Sequence, residues 1–202
     1  MPPRPRTAEQ LAERRESILR QTRALAAEAG WDAVTMRAVA ARTGLNPPAL
    51  YEQFADGKAD LLKAVAIEGF GEMADALEQA STGQDEPLTA IADRYWRFAR
   101  DEPALYELMF QHRLDIAFAK TSTPPEARRA FEVLRRAIAS RVAPASVEPD
   151  TELLAEAWWA SLHGVVSLAL SNRVRPGEDH ALRLARTVTE SLINTIDHQE
   201  PK

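Results

Sequence analysis

Along this chain apolar residues return every three or four positions rather than every second one, and no convincing stretch of strict alternation interrupts them. The periodicity predicts an all-α fold, which caps and breakers divide into about nine helices. Thr7 followed by Gln10 reads as a capping box opening a helix that carries Leu11, Ile18, Leu19 and Leu25 and stops at Gly30. Thr35 reads as the cap of a short helix ending near Gly44. Asp56 reads as the cap of a longer one, with Leu61, Leu62, Val65 and Phe70 inside it and its end near Gly83. Further helices are predicted over residues 88–100, 104–111, 125–142, 151–172 and 178–198, separated by the connectors TGQDEP, KTSTPP, APASVEP and RVRPG. The last two are long and carry broad apolar faces, enough for more than one neighbour.

Residues 44–54, GLNPPALYEQF, break the pattern in an informative way. A first helical position has no use for its N–H, so one proline there is easily placed. The residue before a proline is pushed towards extended backbone, which predicts Pro47 extended and Pro48 as the first helical residue. The helix then runs through Phe54, anchored by Leu50 and Phe54, with Ala49, Glu52 and Gln53 outward. So short a helix cannot stand alone. Ahead of it, TMRAVAARTGLN places Val39 and Ala40 inward and Gly44 at a tight turn, making a helix-turn-helix pattern whose second helix would enter the DNA major groove.

Composition changes this picture little. In 202 residues, 45% apolar content is enough for a core, and the absence of Cys removes disulfides, thiolate nucleophiles and Cys-based zinc sites together. With four scattered His, neither a metal nor another cofactor is expected, and no catalytic residues are assigned. No apolar run approaches the roughly 20 residues that span a bilayer and the start lacks a signal-peptide core, so no membrane partner is expected and the localisation expected is cytoplasmic. The formal net charge of -5 is unevenly spread: +2 through Lys63 and -7 beyond it. The basic end is the helix-turn-helix end.

TMRAVAARTGLNPPALYEQFADGKADLL resembles the DNA-binding region of TetR-type transcriptional regulators in about a dozen ordered positions. It departs from them in Asn46 for Ser, Gln53 for His or Tyr, and one extra residue before Lys58. The resemblance implies phosphate contacts from Thr35, Tyr51 and Lys58, with Arg37 a weaker candidate; Asn46, Pro48, Ala49 and Gln53 are the groove-facing candidates for base reading. Pro and Ala suit thymine methyls, and Glu52 repels phosphate but can accept from cytosine. Each has a plainer reading: Tyr51 packed, Arg37 in a local ion pair, Lys58 simply solvated. The PPRPR tip is either a tail or an arm for the minor groove.

Beyond Asp75 the chain is acidic and apolar. The resemblance implies residues 1–55 as the DNA-binding domain and residues 56–202 as a helical ligand-sensing and dimerisation domain. Leu154, Trp158, Val165 and Leu168, with Leu184, Val188 and Leu192, would meet a second subunit in a four-helix bundle. EPALYELMF and WWASLHGVVSL resemble the family branch with a W-x-x-L-H-G signature. Aromatic residues are core by default; as the lining of a pocket for a small apolar or amphipathic effector, the candidates are Trp96, Tyr106, Phe110, His112, Trp159 and His163. His163 suits a hydrogen-bonded buried histidine better than a ligand group. The functional expectation is a homodimeric, ligand-responsive repressor that binds double-stranded operator DNA. A helical adaptor without DNA binding competes with it, supported by Glu52 and the acidic total. A small helical enzyme competes less, because no catalytic grouping or nucleotide fingerprint can be traced.

Overall fold

The computed structural model describes residues 7–142 and 150–198; the PPRPR tip and the APASVEP connector lie outside the described residues. Among the described residues there are nine α-helices, one 3-10 turn and no strand. By their contacts the helices form two compact units.

The first unit takes residues up to Gly69 together with 104–116. It holds α1 (Ala8–Ala29), the 3-10 turn Trp31–Ala33, α2 (Met36–Thr43), α3 (Pro47–Tyr51), the first half of α4 (Lys58–Ser81) and nearly all of α6 (Pro103–Phe110), which follows α5 (Pro87–Asp101) in the chain. The capping box of α1 forms as expected, the Thr7 N–H donating to Gln10 Oε1 at 3.1 Å and the Gln10 N–H to Thr7 Oγ1 at 3.2 Å. Ile18, Leu19 and Ala26 bury one face of α1, while Leu11, placed in its apolar stripe by periodicity, is 45% exposed.

Trp31 was not singled out by periodicity, yet it ties this unit together. It is buried, its indole N–H donates to the Ala104 carbonyl at 2.8 Å, and its own carbonyl accepts from Lys58 Nζ at 2.8 Å. Close packing brings α6 against α4 at Gly69, where a Cβ would lie 2.8 Å from Met109 Sδ and 2.9 Å from Leu105 Cδ1. A larger residue would have to push α6 side chains aside.

The second unit takes residues 70–103 and everything from Ala117. It adds α5, α7 (Pro125–Arg141), α8 (Thr151–Leu170) and α9 (Glu178–Asp197), with α5 packed on α7, α8 and α9. Leu88, Ile91, Tyr95, Phe98, Leu134, Ile138, Leu162 and Val166 form its core. At the surface Arg186 grips Asp93 across α9 and α5, and Arg141 bonds both Asp197 and Glu86. Exposed pairs of this kind orient helices more than they stabilise them.

Two expectations change here. Trp158, assigned to the face that meets a second subunit, is 2% exposed in its own subunit, and its indole N–H donates to Thr189 Oγ1 at 3.0 Å. The buried hydroxyl of Thr189 accepts that bond and donates its own hydrogen bond to the Ala185 carbonyl, so the indole points into the α8–α9 seam. The second concerns apolar length. By length and composition α8 is apolar enough to cross a membrane, with a mean hydropathy of 1.3 over 18 residues of which 22% are buried. Glu152, Glu156, Ser161 and His163 break up its apolar run, while Ala, Leu and Val keep the average high. A core helix of an ordinary globular protein passes the same test. What matters is that so apolar a helix leaves much of its surface uncovered.

Candidate nucleic-acid interface

The interface is built on α2, the turn after it, and α3. Thr35, extended and exposed, caps α2 by accepting the Ala38 N–H on Oγ1 at 3.1 Å. Val39 and Ala40 are buried, and Gly44 ends the helix at φ 67, ψ 19, the left-handed conformation that glycine adopts without penalty. Arg42 bolts α2 to α1: its guanidinium donates to both Glu28 carboxylate oxygens and to Gln21 Oε1. Hydrogen bonding to Arg42 holds the Glu28 carboxyl below its usual range.

The start of α3 differs from the expectation. Asn46, not Pro47, is the extended residue (φ -81, ψ 151), and Pro47 and Pro48 occupy the first two helical positions. Both positions lie among those whose N–H groups have no partner inside the helix, so neither proline forfeits a bond. The first N–H that does exist, that of Ala49, is taken by Asn46 Oδ1 at 3.1 Å. This cap, together with burial of Leu50, overrides the extended bias that Pro48 imposes on Pro47. The helix also stops sooner, at Tyr51 rather than Phe54; 52–53 continue as a turn, and the Phe54 N–H donates to the Leu50 carbonyl at 2.9 Å. Leu50 and Phe54 are both buried. Arg15 of α1 lies over the Phe54 ring, 4.7 Å from its centroid, and donates to the Gln53 carbonyl at 3.4 Å.

Asp56, expected to cap α4, does not; its backbone N–H instead donates to Asp60 Oδ2 at 2.8 Å. The residue after it, Gly57, takes φ 63, and the Tyr51 ring lies over it so closely that a Cβ there would stand 3.2 Å from Tyr51 Cε1. A left-handed glycine beneath an aromatic ring is how the chain accommodates its long connection into α4.

Of the eight residues proposed to meet DNA, Thr35, Arg37, Asn46, Pro48 and Tyr51 are exposed, and Ala49 is half-buried. Tyr51 is 49% exposed. Gln53 differs: its amide nitrogen is buried with no hydrogen-bond partner, so it presents no donor outward. Lys58 spends one of its three donors on the Trp31 carbonyl and is only half-buried. The sequence reading missed Arg15, whose partners are 38 residues away, and it passed over Pro47, which is exposed beside Pro48.

The six pocket candidates fall three to each unit. In the first, Tyr106 is fully buried with its ring 4.7 Å from that of Phe110, while His112 meets the Trp31 ring edge-on at 6.2 Å with Nε2 3.5 Å from the Glu107 carboxylate. In the second, the Trp159 indole donates to the Tyr95 hydroxyl at 3.2 Å, His163 shares a hydrogen bond with Ser167, and Trp96 is 6% exposed with its indole N–H buried and unpartnered. Burial holds the His163 imidazole below its ordinary pKa, and hence neutral. Trp159, Leu162, His163 and Gly164, the W-x-x-L-H-G residues, all lie on α8. A groove of about 500 Å³ in the second unit, lined by Glu78, Ser81, Thr82, Pro87, Val133, Arg136, Ala137 and Ser140, contains none of these candidates and is polar, crossed by the Arg136–Glu78 ion pair. Among the described residues no group of three His, Asp or Glu is placed to hold a metal ion.

A capped supporting helix, a glycine turn and a short, exposed second helix, followed by a helical C-terminal part, define a helix-turn-helix transcriptional regulator. Residues 18–65 match the family model of bacterial regulatory proteins of the tetR family, and residues 88–191 match that of the tetracyclin repressor-like C-terminal domain. The chain belongs to the TetR family and is a DNA-binding regulator of transcription rather than an enzyme. It is 24% identical, over 160 residues, to an uncharacterised HTH-type transcriptional regulator of Mycobacterium tuberculosis, covering 78% of this chain and 70% of the relative. Its fold is similar to that of a TetR-family transcriptional regulator from Pectobacterium atrosepticum, with TM-score 0.71, 20% identity and coverage of 98% of this chain and 100% of the other. A Rhodococcus protein of unknown function has TM-score 0.72 at 19% identity, covering 91% and 94%, and a TetR-family regulator from Streptomyces coelicolor has 0.64 at 21%, covering 91% and 99%. These solved structures bear on the fold alone.

Two outcomes follow from the geometry. Gly57→Ala introduces both a strained backbone and a Cβ against the Tyr51 ring, and is expected to lower stability by about 1–2 kcal/mol in thermal unfolding while altering Tyr51 fluorescence or NMR signals. For His163 the folded-state pKa is depressed below 6.5, so in acid the unfolded chain binds more protons. Stability should therefore fall as pH drops through 6.5 towards the lower folded value, and His163→Gln should remove that part of the slope in melting temperatures measured across pH.

Proposed function

We propose that the protein is a homodimeric repressor that holds double-stranded operator DNA through α3 and is released by a small apolar or amphipathic effector, acting in the cytoplasm. Reading belongs to residues 1–55, and sensing and dimerisation to 56–202. The observation that carries the DNA half is the exposed face of α3, backed by Leu50 and flanked by exposed groups able to bond phosphate: Thr35, Arg37 and Tyr51, with Lys58 contributing the donors that Trp31 leaves over. Such contacts set the register of the protein on the duplex.

Dimerisation is supported by the uncovered side of α8. Leu153 and Leu168 are 61% and 44% exposed, and between them Ala157, Ala160, Ser161 and Gly164 present a strip of small residues on which another helix can pack closely. A Cβ at Gly164 would touch nothing within 4 Å. With Trp158 removed, Leu154, Val165, Leu168, Leu184, Val188 and Leu192 remain the proposed interface, half-buried or exposed in the single subunit. Two-fold pairing would set two reading helices about one DNA turn, roughly 34–36 Å, apart. For the effector, the support is the aromatic set on α5 and α8, where Trp96 holds a spare buried donor that a ligand oxygen would satisfy. Effector binding would act by favouring a state whose two heads no longer match the operator spacing.

Fluorescent promoter-proximal DNA titrated at several salt concentrations tests the first half. Binding should weaken as salt rises, and Arg37→Ala or Tyr51→Phe should weaken it across sequences, the lost Arg charge also lowering the slope of log affinity on log salt by about 1. Indifference of the protein to every fragment would favour the adaptor reading. For the second half, Leu168→Glu alters a side chain already exposed in the subunit, so it should leave the fold intact and shift sedimentation from dimer to monomer.

A further inference from the structure

The face that α3 presents narrows the DNA it can read, an inference that rests on the DNA-binding reading above. Successive helical residues turn by about 100°, so with Leu50 fully buried the side chains farthest from the protein body are those of Pro48 and Glu52, one turn apart and both exposed. Their chemistry is restricted. Pro47 and Pro48 have no N–H, so this element offers the duplex an apolar ridge where a helix would ordinarily offer backbone donors. Asn46 turns its amide oxygen inward to accept from the Ala49 N–H, which leaves its NH2 donors free to face outward. Glu52 when ionised only accepts, and it pairs with no cation among the described residues.

A carboxylate among phosphates is repelled, and in the groove it is tolerated only where a base donates to it. Cytosine N4 is the amino group that Glu accepts from in the major groove, and only thymine carries a methyl there. Four helical residues advance about 6 Å while base pairs stack at about 3.4 Å, so the two side chains address positions about two base pairs apart. We propose that Pro48 packs on a thymine methyl and that Glu52 accepts a hydrogen bond from the amino group of a cytosine about two base pairs away, with Asn46 donating to a neighbouring purine acceptor. Glu52 then acts in two directions, favouring the site that supplies its donor and penalising any that does not.

The test selects bound duplexes from a random-sequence library with the full-length protein and with Glu52→Gln, then measures affinity for the selected site with uracil in place of each thymine in turn. The protein should enrich half-sites with thymine and cytosine about two base pairs apart. Glu52→Gln should shift the cytosine position towards adenine by roughly fivefold or more. Uracil at one thymine of a half-site should weaken binding about fourfold, the worth of one buried methyl-sized group, and this loss should shrink in Pro48→Ser. Base preferences unchanged by Glu52→Gln, or indifference to uracil at every thymine, would overturn the assignment while leaving DNA binding in place. Failure of the folded protein to enrich any sequence would remove the DNA-binding reading, and this assignment with it.

Discussion

A helix of five residues makes too few hydrogen bonds to offset its own nucleation, so α3 exists only because its surroundings hold it. Leu50 and Phe54 are buried beneath it, each burial contributing about 1.5–3 kcal/mol, and Asn46 caps its first turn. Gly44 sets the angle at which the chain enters, and Arg15 clasps the carbonyl at its exit. The supports have supports of their own. Arg42 fixes α2 to α1, Lys58 holds the Trp31 carbonyl, and the Trp31 indole reaches Ala104 at the start of α6. A reading helix that cannot stand by itself thereby inherits its position from a chain of supports whose longest hydrogen bond, from Trp31 to the Ala104 carbonyl, spans 73 residues of sequence.

That dependence explains why several residues at the interface have two duties. Thr35 and Asn46 close helix ends with the side chains they also offer to a duplex, and Lys58 divides its donors between Trp31 and the solvent. Arg37 and Tyr51 are the interface residues least encumbered by structural work, although the Tyr51 ring still leans on Gly57. The same accounting puts the net charge in proportion. Arg129, Arg136, Arg141 and Arg186 are held by Asp75, Glu78, Asp197 and Asp93, so these cations of the second unit are spent within the protein and the net charge of -5 says little about the surface around α3. What a polyanion meets is set by the few groups left over around α3.

Much of this was legible from local chemistry. The Thr7 and Thr35 caps, the inward Val39 and Ala40, the Gly44 turn and the buried Leu50 and Phe54 each follow from residues within four or five positions of one another. The errors are of two kinds, local competition misjudged and distant partners unseen. Placing Pro47 outside the helix weighed the bias that Pro48 imposes but not the competing reach of Asn46 Oδ1. Facing Gln53 outward took a helix two residues past its actual end, and giving Trp158 to a partner subunit overlooked Thr189, 31 residues on, whose hydroxyl takes the indole bond. Arg15, matched to Gln53 across 38 residues and to Phe54 beside it, left no local signal at all.

Helical periodicity, caps and breakers are short-range quantities, fixed by sterics and hydrogen bonds within a turn or two. The amino-acid order alone therefore determined that the chain is all-helical, where most helices begin, and that a helix-turn-helix lies near its amino end. Which face of each helix is spent inside the subunit and which is left for a partner depends on long-range pairing, where one hydrogen-bonded indole outweighs an apolar stripe. Only the tertiary structure decided that Trp158 faces α9 and that Trp31 joins the start of α6 to the start of α4. Each depends on which distant group fills the space beside it.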